Sequence, residues 1–270
     1  MNLFLYLIFS VNSCYFLELP SGVMSSGLGG VVSIVDEGLA VFHNPALMQE
    51  TKINFTLSRW FYNTNLAGLG GTYKNYSFGL NYLNYGIIQG YDEFGIPTNR
   101  FAPYDLTVAG AIRIGSFGFD IKVFQERIDS VSLFALCGGI GSYFKSDRFL
   151  IGSKIDNFGR EFTYHQSTPI SIVNGIRFTL TDSFDLFLEV KAPEIELKGG
   201  LLYWYQNIKI FTGIKYTAPL PEVKNFSTAD LNLSGGILIK LEEYEIGYSF
   251  VWTKFSLAHQ FSIVFNLPDT

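Results

Sequence analysis

Charged side chains are scarce in this chain of 270 residues, where Asp, Glu, Lys and Arg together make up 16%. A soluble domain usually carries about 25% charged residues, so this chain has too few to cover an aqueous surface. The formal net charge is -5 and no basic cluster is present, which argues against nucleic acid as a partner. Two cysteines, Cys14 and Cys137, are too few for a disulfide framework or a cysteine metal site.

Long apolar runs are also missing. Beyond the N-terminal leader, no run approaches the roughly 18 apolar residues that a membrane-spanning helix needs. Aromatic residues, in contrast, reach 17%, with 26 Phe and 16 Tyr, and aromatic side chains favour strands. A high content of aromatic residues, a low content of charged residues and the lack of a spanning helix together predict a β-barrel in a membrane. A soluble β-sandwich is the alternative.

The chain divides into three parts. Residues 3–11 read LFLYLIFSV, an apolar run of signal-peptide length, so we predict that residues 1–13 are a signal peptide. Residues 14–51 contain four glycines between positions 27 and 38, and their apolar residues follow neither a helical stripe nor an alternation. We predict that residues 14–51 form a plug inside a transmembrane β-barrel built by residues 52–270.

The barrel prediction rests on alternation. Residues 117–123, for example, read FGFDIKV, with large apolar side chains on one face and small or charged ones on the other. Such runs are 9 to 12 residues long in most cases, as tilted membrane-spanning strands require. The sequence therefore predicts an all-β fold, a 14-stranded antiparallel transmembrane β-barrel with an N-terminal plug. The predicted strands are 52–62, 65–74, 76–85, 104–114, 117–126, 130–144, 148–157, 169–180, 183–191, 195–205, 207–217, 229–240, 243–253 and 257–267.

Connection lengths support the same fold. Every other connection is tight and polar, whereas the longest three, residues 86–103, 158–168 and 218–228, fall between them. Outer-membrane barrels show this asymmetry, with short periplasmic turns and longer outer loops.

Charged residues occupy predicted inward positions of the strands. Charges of both signs would be costly in a dry core but are ordinary in a wet lumen. We interpret them as solvated lumen or pore-rim residues without a specific ligand, and same-strand neighbours among them could pair. These residues are Asp120, Lys122, Lys154, Asp156, Glu189, Lys209 and Lys215.

Three other groups of residues are candidates for a role. Asp36 and Glu37 could anchor the plug to lumen lysines such as Lys209 or Lys215 or gate a channel, or they could simply turn the chain before Gly38. Loop 86–103 offers Tyr91, Asp92, Glu93, Phe94 and Arg100 for a partner or ligand at the outer face, and an ordinary hairpin is its simpler interpretation. The histidines have no second ligand at metal spacing, and no nucleophile, base or cofactor motif is recognisable. We therefore expect no metal, no cofactor and no enzyme.

Two stretches resemble a known family. The N-terminal residues Gly27, Gly29, Gly30, Asp36, Asn44, Pro45 and Ala46 resemble the plug signature of the long-chain fatty-acid transporter superfamily of outer-membrane barrels. The run LNYGIIQGYDEFGIPT at 83–98, followed by APYDL at 102–106, resembles the PorV/PorQ family of that superfamily.

This resemblance implies a fourteen-stranded barrel with a plug in the bacterial outer membrane. It also implies a binding and scaffold role in protein secretion of the type IX kind, with secreted cargo proteins or surface machinery as partners beside the membrane lipid. The alternative is an outer-membrane transporter for hydrophobic small molecules such as fatty acids, in which the plug moves. An apolar pocket against the plug would favour transport, and a lumen blocked by ion pairs beneath an aromatic rim would favour the scaffold.

Overall fold

The computed structural model describes residues 14–60, 63–218, 230–254 and 256–268. The predicted signal peptide and residues 219–228 of the third long connection lie outside these ranges. The strands are β1 Lys52–Arg59, β2 Asn65–Tyr73, β3 Tyr76–Asn84, β4 Ile88–Tyr91, β5 Pro97–Phe101, β6 Tyr104–Ile114, β7 Phe117–Ile128, β8 Val131–Lys145, β9 Phe149–Glu161, β10 Ser171–Thr181, β11 Phe184–Ala192, β12 Glu196–Tyr205, β13 Ile208–Thr217, β14 Asp230–Lys240, β15 Tyr244–Trp252 and β16 Leu257–Asn266.

Fourteen of these strands form one closed antiparallel barrel. Chain neighbours pair throughout, β3 pairs with β6, and β1 closes the barrel against β16. The predicted all-β, 14-stranded antiparallel barrel is therefore confirmed. The remaining two strands, β4 and β5, make a separate hairpin. No helix within the described ranges is long and apolar enough to cross a bilayer.

The alternation of the sequence decides which side chains point into the barrel. In β7, Phe117 and Ile121 point outward and are 56% and 57% exposed, whereas Lys122 points inward and is 2% exposed. Because side chains of a strand alternate between its two faces, the same period places most aromatic and aliphatic residues of the other strands outside. The outer face of the barrel is thus apolar and its inner face is largely polar.

The two ends of the barrel differ. Tight connections at 74–75, 115–116, 146–148, 182–183, 206–207 and 241–243 lie at one end, which we call the turn end. The other connections, which include the two-residue turn 129–130 and the longest ones, lie at the opposite end, which we call the loop end. The N-terminal part of the chain enters β1 at the turn end.

The predicted strand bounds lie within two residues of the observed ones except at the ends of β1 and β9, and β1 ends at Arg59, three residues early. Strand β9 continues to Glu161, four residues past its predicted end, because a bulge interrupts the alternation. The register with β8 shifts between Gly138 and Ile140, and Asn157 adopts a positive φ of 56°. A bulge adds an unpaired residue and so displaces the period. The predicted loop 86–103 contains the hairpin β4–β5, which agrees with the simpler interpretation of that loop.

Residues 14–51, which we call the N-terminal segment, pack against inward-facing side chains of the barrel strands. They form 3-10 turns at Tyr15–Glu18 and Pro45–Leu47 and one short helix, α1, at Val23–Gly27. Cys14 and Phe16 pack in a cluster of buried residues with Leu66 and Phe124 near the loop end. From there the segment descends to Pro45, which lies against Gly118 near the turn end.

The main hydrophobic core lies between this segment and the inner wall. It joins apolar side chains of the segment to the few large apolar residues that point inward from the strands. The segment contributes Val23, Leu28, Val31, Ile34, Val35 and Leu47, and the wall contributes Leu150, Phe187, Leu202, Phe211 and Leu238.

Candidate functional site

The candidate site is the interface between the N-terminal segment and the inner wall. The glycines of the predicted plug motif lie where the segment passes closest to β13 and β14. The Gly29 amide donates to the Ser234 hydroxyl at 3.0 Å, and that hydroxyl donates to the Gly27 carbonyl at 2.9 Å. Gly29 and Gly30 adopt φ values of 79° and 81°. A Cβ on Gly29 would lie 2.5 Å from the Ile214 carbonyl oxygen, so this position requires glycine.

Asn44, Pro45 and Ala46 form a corner near the turn end. The Asn44 side-chain oxygen accepts from the Ala46 amide at 3.0 Å, which caps the 3-10 turn. Its amide nitrogen donates to the carbonyls of Ser33 at 2.9 Å and Ser142 at 3.1 Å. Asn44 therefore joins two parts of the segment to β8, and the proline fixes the backbone beside it.

Glu37 is the acidic centre of the segment itself. Its carboxylate accepts from the backbone amides of Met24 at 2.9 Å and Ser25 at 3.0 Å, in α1. Its own carbonyl accepts from the Asn54 side chain at 2.6 Å. Burial raises the pKa of Glu37, and burial lowers the pKa of neighbouring His43 to about 3. The His43 ring is therefore neutral at physiological pH, and its 3.8 Å approach to Glu37 is not a charge pair.

The predicted anchoring of the acidic pair to Lys209 or Lys215 was wrong. Asp36 lies 3.5 Å from Lys52, at the start of β1, and its other oxygen accepts from the Gly38 amide at 3.3 Å. Lys209 pairs instead with Glu245 at 3.2 Å, and Lys215 pairs with Glu196 at 3.2 Å. The strand register brings these lysines to wall carboxylates, so the segment does not need to supply one.

A buried charge network lies on the β7–β9 side of the lumen. The Lys122 ammonium contacts Asp156 of β9 and lies 3.5 Å from Asp120 of its own strand. Lys154 binds Asp156 at 2.6 Å and donates to the Phe42 carbonyl of the segment at 3.4 Å. The side chains of all four charged residues are buried. Our interpretation of them as solvated lumen residues was therefore wrong, because the segment covers them.

Glu189 holds the middle of the segment to β11. One carboxylate oxygen accepts from the amides of Val32 at 2.9 Å and Ser33 at 2.7 Å and from the Ser33 hydroxyl at 2.6 Å. The other accepts from Lys198 at 3.0 Å, and Lys198 also donates to the Gly30 carbonyl at 3.0 Å. Lys198 and Ser234 were not among the predicted site residues, although both occupy inward positions of predicted strands.

A cavity of about 230 Å³ lies between the segment and the β11–β15 wall, near the loop end. Leu19, Pro20, Trp60 and Val251 form an apolar part of its lining. The rest is polar and includes ion pairs such as Lys191 with Glu18, at 2.7 Å. Among the described residues, no group of three or more His, Cys, Asp or Glu side chains is arranged to hold a metal ion.

The outer-loop candidates lie on the hairpin β4–β5 and do not approach this cavity. Tyr91, Asp92, Glu93, Phe94 and Arg100 are all exposed. One Asp92 carboxylate oxygen closes the turn by accepting from the backbone amides of Phe94 at 2.9 Å and Ile96 at 2.8 Å. The Arg100 guanidinium donates across the hairpin to Gln89 at 3.1 Å.

Comparison with known proteins identifies the fold of the chain. No protein-family model matches the sequence, and no curated protein matches it significantly. Among solved structures, the toluene transporter TodX of P. putida is similar, with a TM-score of 0.63 and 10% identity over 93% of this chain and 99% of that one. The monoaromatic hydrocarbon channel CymD is similar too, with a TM-score of 0.62 and 12% identity over 94% and 99%. The chain therefore has the barrel fold of outer-membrane channels.

Proposed function

We propose that this chain is a bacterial outer-membrane barrel that transports hydrophobic small molecules, with residues 14–51 as a plug in its lumen. The observation that carries the proposal is the cavity of about 230 Å³ between this plug and the wall. Ligand sites are typically concave and lined by apolar side chains with a few placed polar groups. Leu19, Trp60 and Val251 supply the apolar surface here, and the neighbouring ion pairs supply the polar groups.

The distribution of side chains supports a membrane location. Large apolar residues cover the outer face, and buried charges such as Lys122 and Glu189 lie inside. A closed barrel also satisfies the backbone hydrogen bonds of every strand, which a bilayer requires. Residues 1–13, as a signal peptide, would direct the chain to export. We infer that the barrel lies in the outer membrane with its turn end in the periplasm and its loop end outside.

The structural neighbours support transport rather than catalysis. TodX is a toluene transporter and CymD a monoaromatic hydrocarbon channel, and this chain shares their fold. We therefore take apolar solutes, from aromatic hydrocarbons to fatty acids, as the substrate class.

Uptake by whole cells tests this function. The barrel would be expressed in a host that lacks its own channels for hydrophobic solutes, and entry of radiolabelled toluene and oleate would be measured. We expect faster uptake than in cells with an empty vector. Val251→Trp should fill the cavity and return uptake nearly to background. Val108→Trp is the matched control, because Val108 points outward and is 49% exposed.

Heat-dependent gel mobility would establish that both variants are folded barrels. Uptake equal to that of empty-vector cells would contradict transport of these solutes. Normal uptake by Val251→Trp would contradict the cavity as part of the route.

A binding scaffold of the PorV/PorQ kind is the second candidate, and the resemblance to that family remains a prediction. The hairpin β4–β5 favours this role because it exposes Phe94 (79%), Tyr91 (64%) and Ile96 (59%) beyond the barrel. Exposed apolar groups of this kind mark interaction sites. Replacing residues 88–101 by a short glycine linker should abolish capture of secreted cargo from outer membranes while leaving solute uptake unchanged. Capture that survives this deletion would contradict the hairpin as the binding element.

A further inference from the structure

A row of polar side chains crosses the largely apolar outer face at β8, β9 and β10. Ser142 lies opposite Ser153, and Ser153 lies opposite Asn174. Asn174 is exposed, and the two serines are partly exposed. Each of the three is flanked two residues away, on its own strand, by bulky apolar side chains: Ile140 and Phe144, Ile151 and Ile155, Ile172 and Ile176.

The Asn174 amide is incompletely bonded. The Ser153 hydroxyl donates to its oxygen at 2.8 Å, but its nitrogen, which carries two donors, meets no acceptor in the part of the chain that the structure describes. An unsatisfied donor in hydrocarbon is costly. Thr212, another outward polar residue, shows the usual solution, because its hydroxyl donates back to the Ser234 carbonyl at 3.0 Å. Asn174 therefore needs an acceptor from outside the molecule.

The surface around Asn174 has a groove and a ridge. On one side the outer face is concave, with a volume of about 520 Å³, and is lined by the apolar residues Ile151, Ile176, Leu188, Val190 and Leu197. Gly199, opposite Leu188, adds no side chain there. On the other side, Ile155 and Phe158 project from β9 and are 48% and 68% exposed.

We propose that this face binds a second copy of the chain about a two-fold axis near Asn174. An amide carries both a donor and an acceptor, so two Asn174 side chains can bond each other reciprocally. A two-fold interface brings identical patches together, and the ridge of each copy can then enter the groove of the other. Lipid acyl chains would fill the groove but offer no acceptor. The inference goes beyond transport and requires of the proposed function only that the outer face meets lipid.

Cross-linking in native membranes tests the geometry. In a background with Cys14→Ala and Cys137→Ala, Asn174→Cys would be oxidised with copper phenanthroline. We expect a disulfide-linked species of twice the monomer mass, because the disulfide traps the dimer even though loss of the Asn174 amide weakens it about tenfold. Val108→Cys, on the outer face of β6, is the matched control and should remain monomeric.

Sedimentation equilibrium in detergent measures the energetics. Asn174→Leu should weaken dimerisation about tenfold, because two hydrogen bonds of membrane strength are lost per dimer. Thr212→Val should leave the dimer unchanged, because that hydroxyl is already satisfied within the barrel.

Three outcomes would overturn the proposal. The first is Asn174→Cys cross-linking no better than Val108→Cys, and the second is a product whose mass shows a different protein. The third is a wild-type monomer that carries only bound lipid. Membrane fractionation separates these results from a failure of the proposed function: a monomer that lies in the outer membrane and takes up solute refutes only the dimer.

Discussion

The hydrogen bonds between Glu189 and the N-terminal segment lead to a quantitative prediction. Replacing Glu189 by Ala removes the acceptor for Val32 and for both donors of Ser33, and it removes a partner of Lys198. Nothing else in the described wall accepts from those three donors. We therefore expect the middle of the segment to open while the barrel strands remain paired.

The structure sets the size of the effect. Breaking a buried ion pair by removing one partner costs about 3–5 kcal/mol. Lys198 keeps Glu196 at 3.4 Å and the Gly30 carbonyl at 3.0 Å, so we take the lower value of about 3 kcal/mol. Glu189→Gln is milder, because its amide oxygen can still accept from Val32 and Ser33 while only the bond to Lys198 is lost. We expect about 1.5 kcal/mol for that variant, the lower end of the range for one hydrogen bond to a charged group.

Amide hydrogen exchange of the purified protein in nanodiscs, followed by mass spectrometry, measures local opening directly. Each 1.4 kcal/mol changes the equilibrium constant for opening about tenfold. Exchange of a peptide over residues 28–36 should therefore accelerate about a hundredfold in Glu189→Ala and about tenfold in Glu189→Gln. Glu245→Ala is the matched control. It also removes a buried wall carboxylate from a lysine pair, at 3.2 Å, but that pair holds no residue of the segment.

Two results would refute this reasoning. Exchange at Val32 and Ser33 within about threefold of wild type would mean that Glu189 contributes little to holding the segment. Equal acceleration in the strand peptides, for example over β15, would mean that the barrel and the segment open together.

Two further predictions concern the segment. Gly29→Ala should lower the free energy of unfolding by about 2 kcal/mol, because a Cβ would lie 2.5 Å from the Ile214 carbonyl oxygen. Gly95 is the control: it has a similar φ of 76° but no atom within 4 Å of an added Cβ, so Gly95→Ala should cost only the ~1 kcal/mol of a left-handed backbone. Equal shifts in melting temperature for the two variants would contradict the steric argument. His43 stays neutral in the folded protein because burial lowers its pKa to about 3. As the pH falls, the unfolded chain therefore binds a proton at His43 before the folded one does. The free energy of unfolding should fall by up to ~1.4 kcal/mol per pH unit between about pH 6.5 and pH 3. In denaturant titrations, His43→Gln should show a smaller fall in stability with falling pH than wild type. Comparing the two proteins cancels the opposite contribution of Glu37, whose pKa is raised by burial. An unchanged pH dependence of stability would contradict the prediction.

The barrel could be predicted because period-2 alternation is a local property. In β7, the letters FGFDIKV already separate an outer from an inner face, and no distant residue changes that. The N-terminal segment was harder. Its dense glycines indicate close approach to other backbone, as Gly29 shows against Ile214, but they do not say which strand is approached.

The same-strand pairs of buried charges could be predicted, and Lys154 with Asp156 and Lys122 with Asp120 do pair. Partners on other strands could not, because that pairing depends on register between strands. Lys122 and Asp156 are 34 residues apart, and they meet only because β8 places β7 and β9 on either side of it. The bulge near Asn157 also shifted the inner positions of β9. Asn174, in contrast, carried a signal in the sequence. It occupies an outward position in the predicted strand 169–180, where the alternation requires an apolar residue.

The segment and the inner wall depend on each other for hydrogen bonding. Between α1 and β1 the segment forms only one short 3-10 turn, so most of its buried amides need partners that regular structure does not supply. The wall offers them through polar side chains such as Glu189 and Ser234. The segment in turn covers Lys122 and Lys154, which would otherwise face an open lumen. Each surface supplies hydrogen-bond partners to the other. Loss of one wall acceptor should therefore first destabilise the segment, where no neighbouring strand can replace that acceptor.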